Sequence, residues 1–138
     1  MSAAEKPDLA YPSFWDAARN GRLELQRCSG CRQLRYFPAP VCPMCLSTES
    51  MWEVVPGLGT VYAFTIVHRA PNAVAAKETP YTIALVELDD ANVRVMARLE
   101  GAPAEGPKIG APAIFSGVGD SGLGPWLRFS YRKLDRRG

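Results

Sequence analysis

The four cysteines of this 138-residue chain lie in one segment, CSGCRQLRYFPAPVCPMC at positions 28–45, as two CxxC pairs. Each pair can turn its sulfurs toward one point from a single tight turn, and four thiolates satisfy the tetrahedral preference of zinc. A short hairpin can carry both turns, as in a rubredoxin-like ribbon. The segment therefore predicts a metal site formed by Cys28, Cys31, Cys42 and Cys45, with zinc as the expected ion and iron as the alternative in the same sulfur cage.

The expected role of this metal is structural. Four protein ligands close the coordination shell, so no position remains for an activated water. A thioredoxin-type centre needs one CxxC pair at the start of a helix in a βαβ setting, which this sequence does not show. Two disulfides would require an oxidising compartment, and the beginning, MSAAEKPDLAYPSFW, lacks the pattern of a secretory signal. We therefore expect a cytoplasmic protein whose cysteines bind metal.

The residues before the cysteines, YPSFWDAARNGR at positions 11–22, have the pattern of a short helix. Ser13 is the expected N-cap, Asp16 its capping-box partner, and Gly21 lies just past the end. A helix this short is not stable alone in water, so its aromatic side chains must pack either on the ribbon of this chain or on a partner.

After the cysteines the sequence changes to period-two alternation with glycine and proline punctuation. Five strands are predicted, at 60–68, 81–88, 93–99, 112–118 and 126–131. Such strands without long helices between them favour a small antiparallel barrel, and we predict an OB-fold. The expected fold is mainly β, with a short helix and a rubredoxin-like zinc ribbon over 11–52 and a five-stranded OB-fold barrel over 53–132.

Few groups for catalysis remain outside the cysteines. His68 is the one histidine of the sequence, and with no evident carboxylate partner it favours a structural role over that of a base. No GxSxG or Walker-type motif is present. We therefore expect binding, with no catalytic residues in this chain.

Single-stranded nucleic acid is one ligand that a zinc ribbon beside an OB-fold suggests. Tyr62, Phe64 and Tyr81 are the aromatic residues that could stack on bases. However, Tyr62 and Phe64 share a face with Ile66, as the residues of a core stripe would. The formal net charge of +2 also gives a weak electrostatic footprint for nucleic acid.

Several pieces of the sequence resemble a known family, in the family's order and over about residues 14 to 129. They are FWDAARNGRLELQRCSGCRQLRYFPAPVCPMC, GLGTVYAFTIVHRAP, PYTIALVELDD and IGAP. That family consists of small proteins that join a rubredoxin-like zinc ribbon to an OB-fold and accompany acyl-CoA enzymes. The chain departs from the family where glycine usually follows the second cysteine of each pair, because Arg32 and Leu46 stand there.

The resemblance implies a non-catalytic accessory subunit in a hetero-oligomer. The expected partner is a thiolase that supplies the catalytic residues; a thiolase-like aldolase, a hot-dog-fold hydratase and a hydroxymethylglutaryl-CoA synthase are further possibilities. By the resemblance, Phe14, Trp15, Tyr36 and Phe37 are candidate partner-binding residues.

A CoA thioester bound jointly with the partner is a further expectation. Arginine pairs well with phosphate, and the candidates for the CoA phosphates are Arg69, Arg94, Arg98 and Arg128. The competing interpretation is that these arginines occupy ordinary solvated strand faces. Two other classes stay open: a single-strand nucleic-acid-binding protein and a self-sufficient thioester hydrolase.

Overall fold

The computed structural model describes residues 11–69, 73–89, 91–103, 106–120 and 125–132. The elements in chain order are α1 (Pro12–Arg19), β1 (Leu23–Cys28), β2 (Leu34–Arg35), β3 (Ser50–Val55), β4 (Leu58–Val67), α2 (Ala73–Ala76), β5 (Tyr81–Leu88), β6 (Arg94–Glu100), β7 (Pro112–Asp120) and β8 (Pro125–Tyr131). The predicted architecture is confirmed: a mainly β fold with a short helix, a ribbon and five further strands. None of the helices in the described ranges is long and apolar enough to span a membrane.

Helix α1 begins earlier than its sequence pattern predicts. Proline occupies its first position, where the missing N–H costs no helical hydrogen bond. Tyr11 is the N-cap residue and makes no side-chain capping bond, so the predicted capping box of Ser13 and Asp16 is wrong. Gly21 follows the helix with a φ of +88°, as predicted. The Arg22 N–H donates to the Ala17 carbonyl and closes the helix end.

The ribbon is a three-stranded antiparallel sheet in the order β2-β1-β3. Central strand β1 runs its full length against β3, from the pair of Leu23 with Val55 to that of Cys28 with Ser50. Strand β2 contributes two residues on the other side. The two cysteine-bearing turns, 28–32 and 42–46, are therefore placed at one end of this sheet.

The remaining strands close into a barrel in the order β4-β5-β6-β8-β7, with β4 also pairing with β7. Neighbouring strands are antiparallel except for β6 and β8, which are parallel. The alternation predicted for β6 is confirmed, since Val95, Ala97 and Leu99 are buried while Arg94 and Met96 are exposed.

A bulge between Val61 and Ala63 changes the register of β4. Val61 is buried inside the barrel, whereas Tyr62 is exposed. Phe64, opposite Ala84, again packs against the core. The expectation that Tyr62 and Phe64 form one core stripe therefore holds for Phe64 and is wrong for Tyr62, because the extra residue of the bulge breaks the period of two.

One hydrophobic core runs through ribbon and barrel. Phe14 of the helix and Leu25 of the ribbon belong to the same buried cluster as Val86 and Phe129 of the barrel. The helix therefore packs on its own chain, and the two halves of the molecule share apolar contacts.

Candidate metal centre and aromatic groove

The four cysteine sulfurs converge at the end of the ribbon. All four lie within 4.8 Å of one another, with 3.5 Å between the sulfurs of Cys28 and Cys45 and 3.6 Å between those of Cys31 and Cys42. Sulfurs about 2.3 Å from a tetrahedral zinc are about 3.8 Å apart. The observed spacing therefore fits a zinc ion at the centre of the set.

The two cysteine turns are built alike. In the first, the Arg32 N–H donates to the Cys28 carbonyl at 3.0 Å, and in the second the Leu46 N–H donates to the Cys42 carbonyl at 2.9 Å. In each turn a backbone N–H two residues on, from Gly30 or Met44, points at the first sulfur at 3.3 Å. Donors aimed at sulfur stabilise a thiolate, which is the form that binds metal.

These backbone donors shift the thiol pKa values. The N–H groups of Cys31 and Gly30 lower the pKa of Cys28 to about 6, and those of Cys45 and Met44 lower the pKa of Cys42. The Gln33 N–H acts in the same direction on Cys31, but burial and the neighbouring thiols raise its pKa to about 11. The metal-free cluster therefore retains protons that a bound ion would displace.

Arg32 and Leu46 adopt the left-handed backbone conformation that glycine would favour. Both have a φ of +68°. The two cysteine turns thus share one geometry. Arg32 and Leu46, which stand where glycine would be favoured, carry the strain of a Cβ in the left-handed region.

A groove of about 690 Å³ separates the helix and ribbon from the outer face of the barrel. Its volume lies in the range of small-molecule and cofactor sites. One wall comes from the helix and the segment after β2, and the other from strands β5, β6 and β8. The aromatic and long apolar residues that line it are Tyr11, Phe14, Trp15, Tyr36, Phe37, Ile83, Met96, Trp126 and Leu127.

The residues predicted to bind a partner meet at this groove but differ in accessibility. Phe37 is 61% exposed, whereas Phe14 is 1% exposed. Phe14 is therefore not accessible for direct contact in this structure, because its ring packs against Trp15, Tyr36 and Trp52 of the same chain. Trp15 and Tyr36 are half-buried.

A buried polar cluster holds the segment that carries Tyr36 and Phe37. Arg35 donates to the Gln26 side-chain oxygen at 2.9 Å and to the Ala39 carbonyl at 2.8 Å. The Ala39 N–H donates to the same Gln26 oxygen at 2.8 Å. These bonds tie the groove wall to strand β1, and no sequence motif marked them.

Three of the four arginines proposed for CoA phosphates form ion pairs with glutamates. Arg98 pairs with Glu78 at 2.7 Å, Arg128 with Glu100 at 2.9 Å and Arg94 with Glu87 at 3.7 Å. A phosphate would have to compete with these carboxylates. Arg69 is exposed and has no ion pair with another described residue.

Two of these arginines, Arg94 and Arg98, cover the two tyrosine rings that could stack on bases. The Arg94 guanidinium lies 3.7 Å from the Tyr62 ring centroid. That of Arg98 lies 3.8 Å from both the Tyr81 and Trp126 rings. A base would have to displace an arginine from either tyrosine, which weakens the nucleic-acid alternative.

His68 is exposed just beyond β4. Within the described residues, the four cysteines are the one group of three or more histidine, cysteine, aspartate or glutamate side chains placed to hold a metal. Asp90, which follows β5 in the sequence, lies outside the described residues.

Two family models match the chain in succession. Residues 15–50 match the rubredoxin-like zinc ribbon domain of ChsH2, and residues 52–113 match the C-terminal OB-fold domain of ChsH2. The two matches meet inside β3 (Ser50–Val55), so most of this ribbon strand falls within the OB-fold match.

Among curated relatives, a probable enoyl-CoA hydratase alpha subunit of Thermomonospora curvata is 39% identical over 74% of this chain and 31% of its own length. The chain thus spans about a third of that relative. The benzoylsuccinyl-CoA thiolase subunit BbsA of Thauera aromatica is 35% identical over 72% of this chain and 69% of its own length.

A solved structure described as the Ltp2-ChsH2(DUF35) aldolase contains a similar chain. The match has a TM-score of 0.71 and 30% identity, and it covers 94% of this chain and 98% of the other. With both domain models in order and this overlap, the chain belongs to the ChsH2 (DUF35) family of proteins that join a rubredoxin-like zinc ribbon to an OB-fold.

Proposed function

We propose that this chain is a non-catalytic accessory subunit of an acyl-CoA enzyme complex, with a thiolase as the first expected partner and source of the catalytic residues. The observation that carries the proposal is the near-complete overlap with a chain of the Ltp2-ChsH2 aldolase, 98% of which is covered. The similar BbsA is named as a subunit of a thiolase. A module shared with two such assemblies supports the same kind of role here.

The metal in this proposal is a structural zinc ion. Four sulfurs in two matched turns use every position of a tetrahedral shell, so the ion would fix the ribbon and leave no open site for substrate. Cys28, Cys31, Cys42 and Cys45 would be its ligands.

The partner surface in this proposal is the groove and its exposed rim. Aromatic side chains often dominate the energy of an interface, and Phe37, Trp15 and Tyr36 are present here on one wall. Phe14 would act indirectly, by supporting Trp15 and Tyr36 from beneath.

A joint site for CoA is the finer part of the proposal. Arg69 is its first phosphate candidate because no glutamate among the described residues neutralises it. At Arg94, Arg98 and Arg128 a phosphate would replace an existing carboxylate partner, so these three would contribute only if their ion pairs open in the complex.

Affinity capture from the native cells tests the proposal. The tagged chain is recovered through a salt wash, and bound proteins are identified by mass spectrometry and tested for acyl-CoA thiolysis or aldol cleavage with and without this chain. Phe37→Ala should reduce recovery of the enzyme about tenfold or more, as for an interface hot spot. Ile109→Ala is the matched control, because Ile109 is 69% exposed and does not line the groove.

Recovery of an acyl-CoA enzyme that Phe37→Ala loses and Ile109→Ala retains would support both the function and the surface. Recovery of nucleic acid instead, or thioester hydrolysis by the purified chain alone, would overturn the accessory-subunit proposal.

A further inference from the structure

Strand β3 is an open edge of the ribbon sheet. It pairs with β1 on one side, and in the described part of the chain it has no strand on the other. An antiparallel strand points the N–H and C=O of alternate residues to opposite sides, so the register decides which groups of β3 are free.

Two hydrogen bonds fix this alternation. The Cys28 N–H donates to the Gln33 carbonyl, toward β2, and the Ser29 N–H donates to the Glu49 carbonyl, toward β3. The backbone N–H and C=O groups of even-numbered residues of β1 therefore point to β2, and those of odd-numbered residues point to β3. By the register of β1 with β3, the backbone groups of Met51, Glu53 and Val55 point to β1. Those of Ser50, Trp52 and Val54 point to the open side.

Among the described residues, this edge carries none of the usual protection against pairing. Natural edge strands carry lysine, proline, bulges or unpaired charges, whereas β3 reads SMWEVV over six residues. Its single charge, on Glu53, is held by Arg27 in two hydrogen bonds of 2.6 and 3.0 Å. Met51 and Val54 are 59% and 58% exposed. An edge that combines free backbone groups with exposed apolar side chains suits an added strand.

We propose that β3 receives an extended strand of the partner enzyme, which adds a fourth strand to the ribbon sheet through the backbone of Ser50, Trp52 and Val54. The inference rests on the proposed function for the identity of the partner. The added strand would carry apolar side chains beside Met51 and Val54.

The edge and the groove form one continuous surface. The Trp52 ring lies 6.2 Å from that of Phe14 and 6.3 Å from that of Tyr11, and both of these residues line the groove. A stable interface buries about 800 Å² on each partner, which is more than a six-residue edge provides alone. A partner that fills the groove while its strand pairs with β3 would supply that area, and a second copy joined only at β3 would not.

Amide hydrogen exchange, followed residue by residue by NMR, tests the proposal directly. In the free chain, the amides of Met51, Glu53 and Val55 should exchange slowly and those of Trp52 and Val54 quickly. In complex with the purified enzyme recovered by the capture above, Trp52 and Val54 should slow at least about tenfold, as for newly formed sheet hydrogen bonds.

Val54→Pro removes one outward N–H and no bond to β1, and proline is tolerated where an edge N–H faces solvent. We expect it to weaken enzyme binding about tenfold, and Val54→Thr, which keeps the N–H, to change it less than about twofold. If Val54→Pro does not fold, Val54→Lys serves instead, since a charge on the edge also opposes strand addition.

The outcomes separate this inference from the function itself. Fast exchange of the Trp52 and Val54 amides in the complex would overturn strand addition and leave the accessory role intact. Normal enzyme binding by the Val54→Pro variant would do the same. If these amides already exchange slowly in the free chain, and exchange still more slowly at higher protein concentration, the edge would be assigned to a second copy instead. Failure to recover any acyl-CoA enzyme would overturn the proposed function on which the inference rests.

Discussion

The ribbon and the barrel of this protein are stabilised by different means. The barrel closes on itself, and its strands pack the buried side chains of Val86, Val95 and Phe129 inside. The ribbon has three strands, one of them two residues long, and its four cysteines gather at one end. A barrel of this size is stabilised by apolar burial, whereas the smaller ribbon is expected to depend on a metal held by its four cysteines.

The buried polar residues follow the same division. Within the described ranges, Gln26 and Arg35 are the buried polar or charged residues, and both lie in the ribbon. Their hydrogen bonds join β1 to the segment after β2. Buried polar groups are stabilising when hydrogen-bonded, so these bonds add specific links within the ribbon, while Arg35 Nη1 has no partner among the described residues.

Removal of the metal should have the largest effect and should fall on one region. Structural zinc supplies on the order of 10 kcal/mol in zinc-finger peptides. We expect a chelator to abolish slow amide exchange at Leu25 in β1 while Val86 and Val95 in the barrel remain protected. Residue-resolved hydrogen exchange on the zinc-loaded chain, before and after chelation and after zinc is restored, measures this difference. Simultaneous loss of protection in both regions would show that the barrel depends on the metal as well.

Phe129→Ala should have the next largest effect, this time through the barrel. Phe129 is 0% exposed, and its ring centroid lies 5.7 Å from that of Phe115. Truncation of a buried phenylalanine costs about 3–5 kcal/mol, and we expect this loss in the free energy of urea unfolding at fixed zinc. Phe37→Ala is the matched control and should change it by less than about 0.5 kcal/mol, because that ring is exposed. A cost below about 1 kcal/mol for Phe129→Ala would contradict a barrel stabilised by its core.

Most of the fold could be predicted from the sequence because its signals are local. The alternation of β6 and the CxxC pairs each follow from neighbouring residues, and the five barrel strands lie close to their predicted bounds. The helix start was misread because Ser13 resembles an N-cap, while Pro12 already fits the first helical turn. The core position predicted for Tyr62 is wrong because the residues before a bulge alternate normally and do not reveal it.

The groove could not be predicted because residues far apart in sequence build it. Trp15, Tyr36 and Phe37 are predicted to bind a partner. That they line one groove together with Met96 and Trp126 depends on how the ribbon packs on the barrel. The ribbon strands were also missed as strands, although LELQRC and SMWEVV have suitable residues. Their pairing is non-local, so neither segment alone indicates a strand partner.

Arg98→Lys tests the barrel wall of the groove and should have a smaller effect. The Arg98 guanidinium stacks between the Tyr81 and Trp126 rings, and its side chain is 16% exposed. Lysine would keep the charge toward Glu78 but lose the planar stacking. We expect a loss of about 1 kcal/mol in the free energy of unfolding.

The control for this change is Arg94→Lys. Arg94 stacks on one ring and is 46% exposed, so its replacement should cost less in the same urea titration. Equal costs at the two positions would show that the second ring and the burial of Arg98 add nothing.

Leu46→Gly should give the smallest effect, and it should be a gain in the ribbon. Leu46 has a φ of +68°, where a Cβ costs about 1–2 kcal/mol, and its side chain is 75% exposed. Glycine removes that strain but adds about 0.5–1 kcal/mol of backbone entropy to be lost on folding, so a net stabilisation of about 0.5 kcal/mol is expected. Urea unfolding of the zinc-loaded chain measures it, with Leu46→Ala as control because alanine keeps the Cβ. If alanine stabilises as much as glycine, loss of the exposed side chain, and not relief of strain, accounts for the gain.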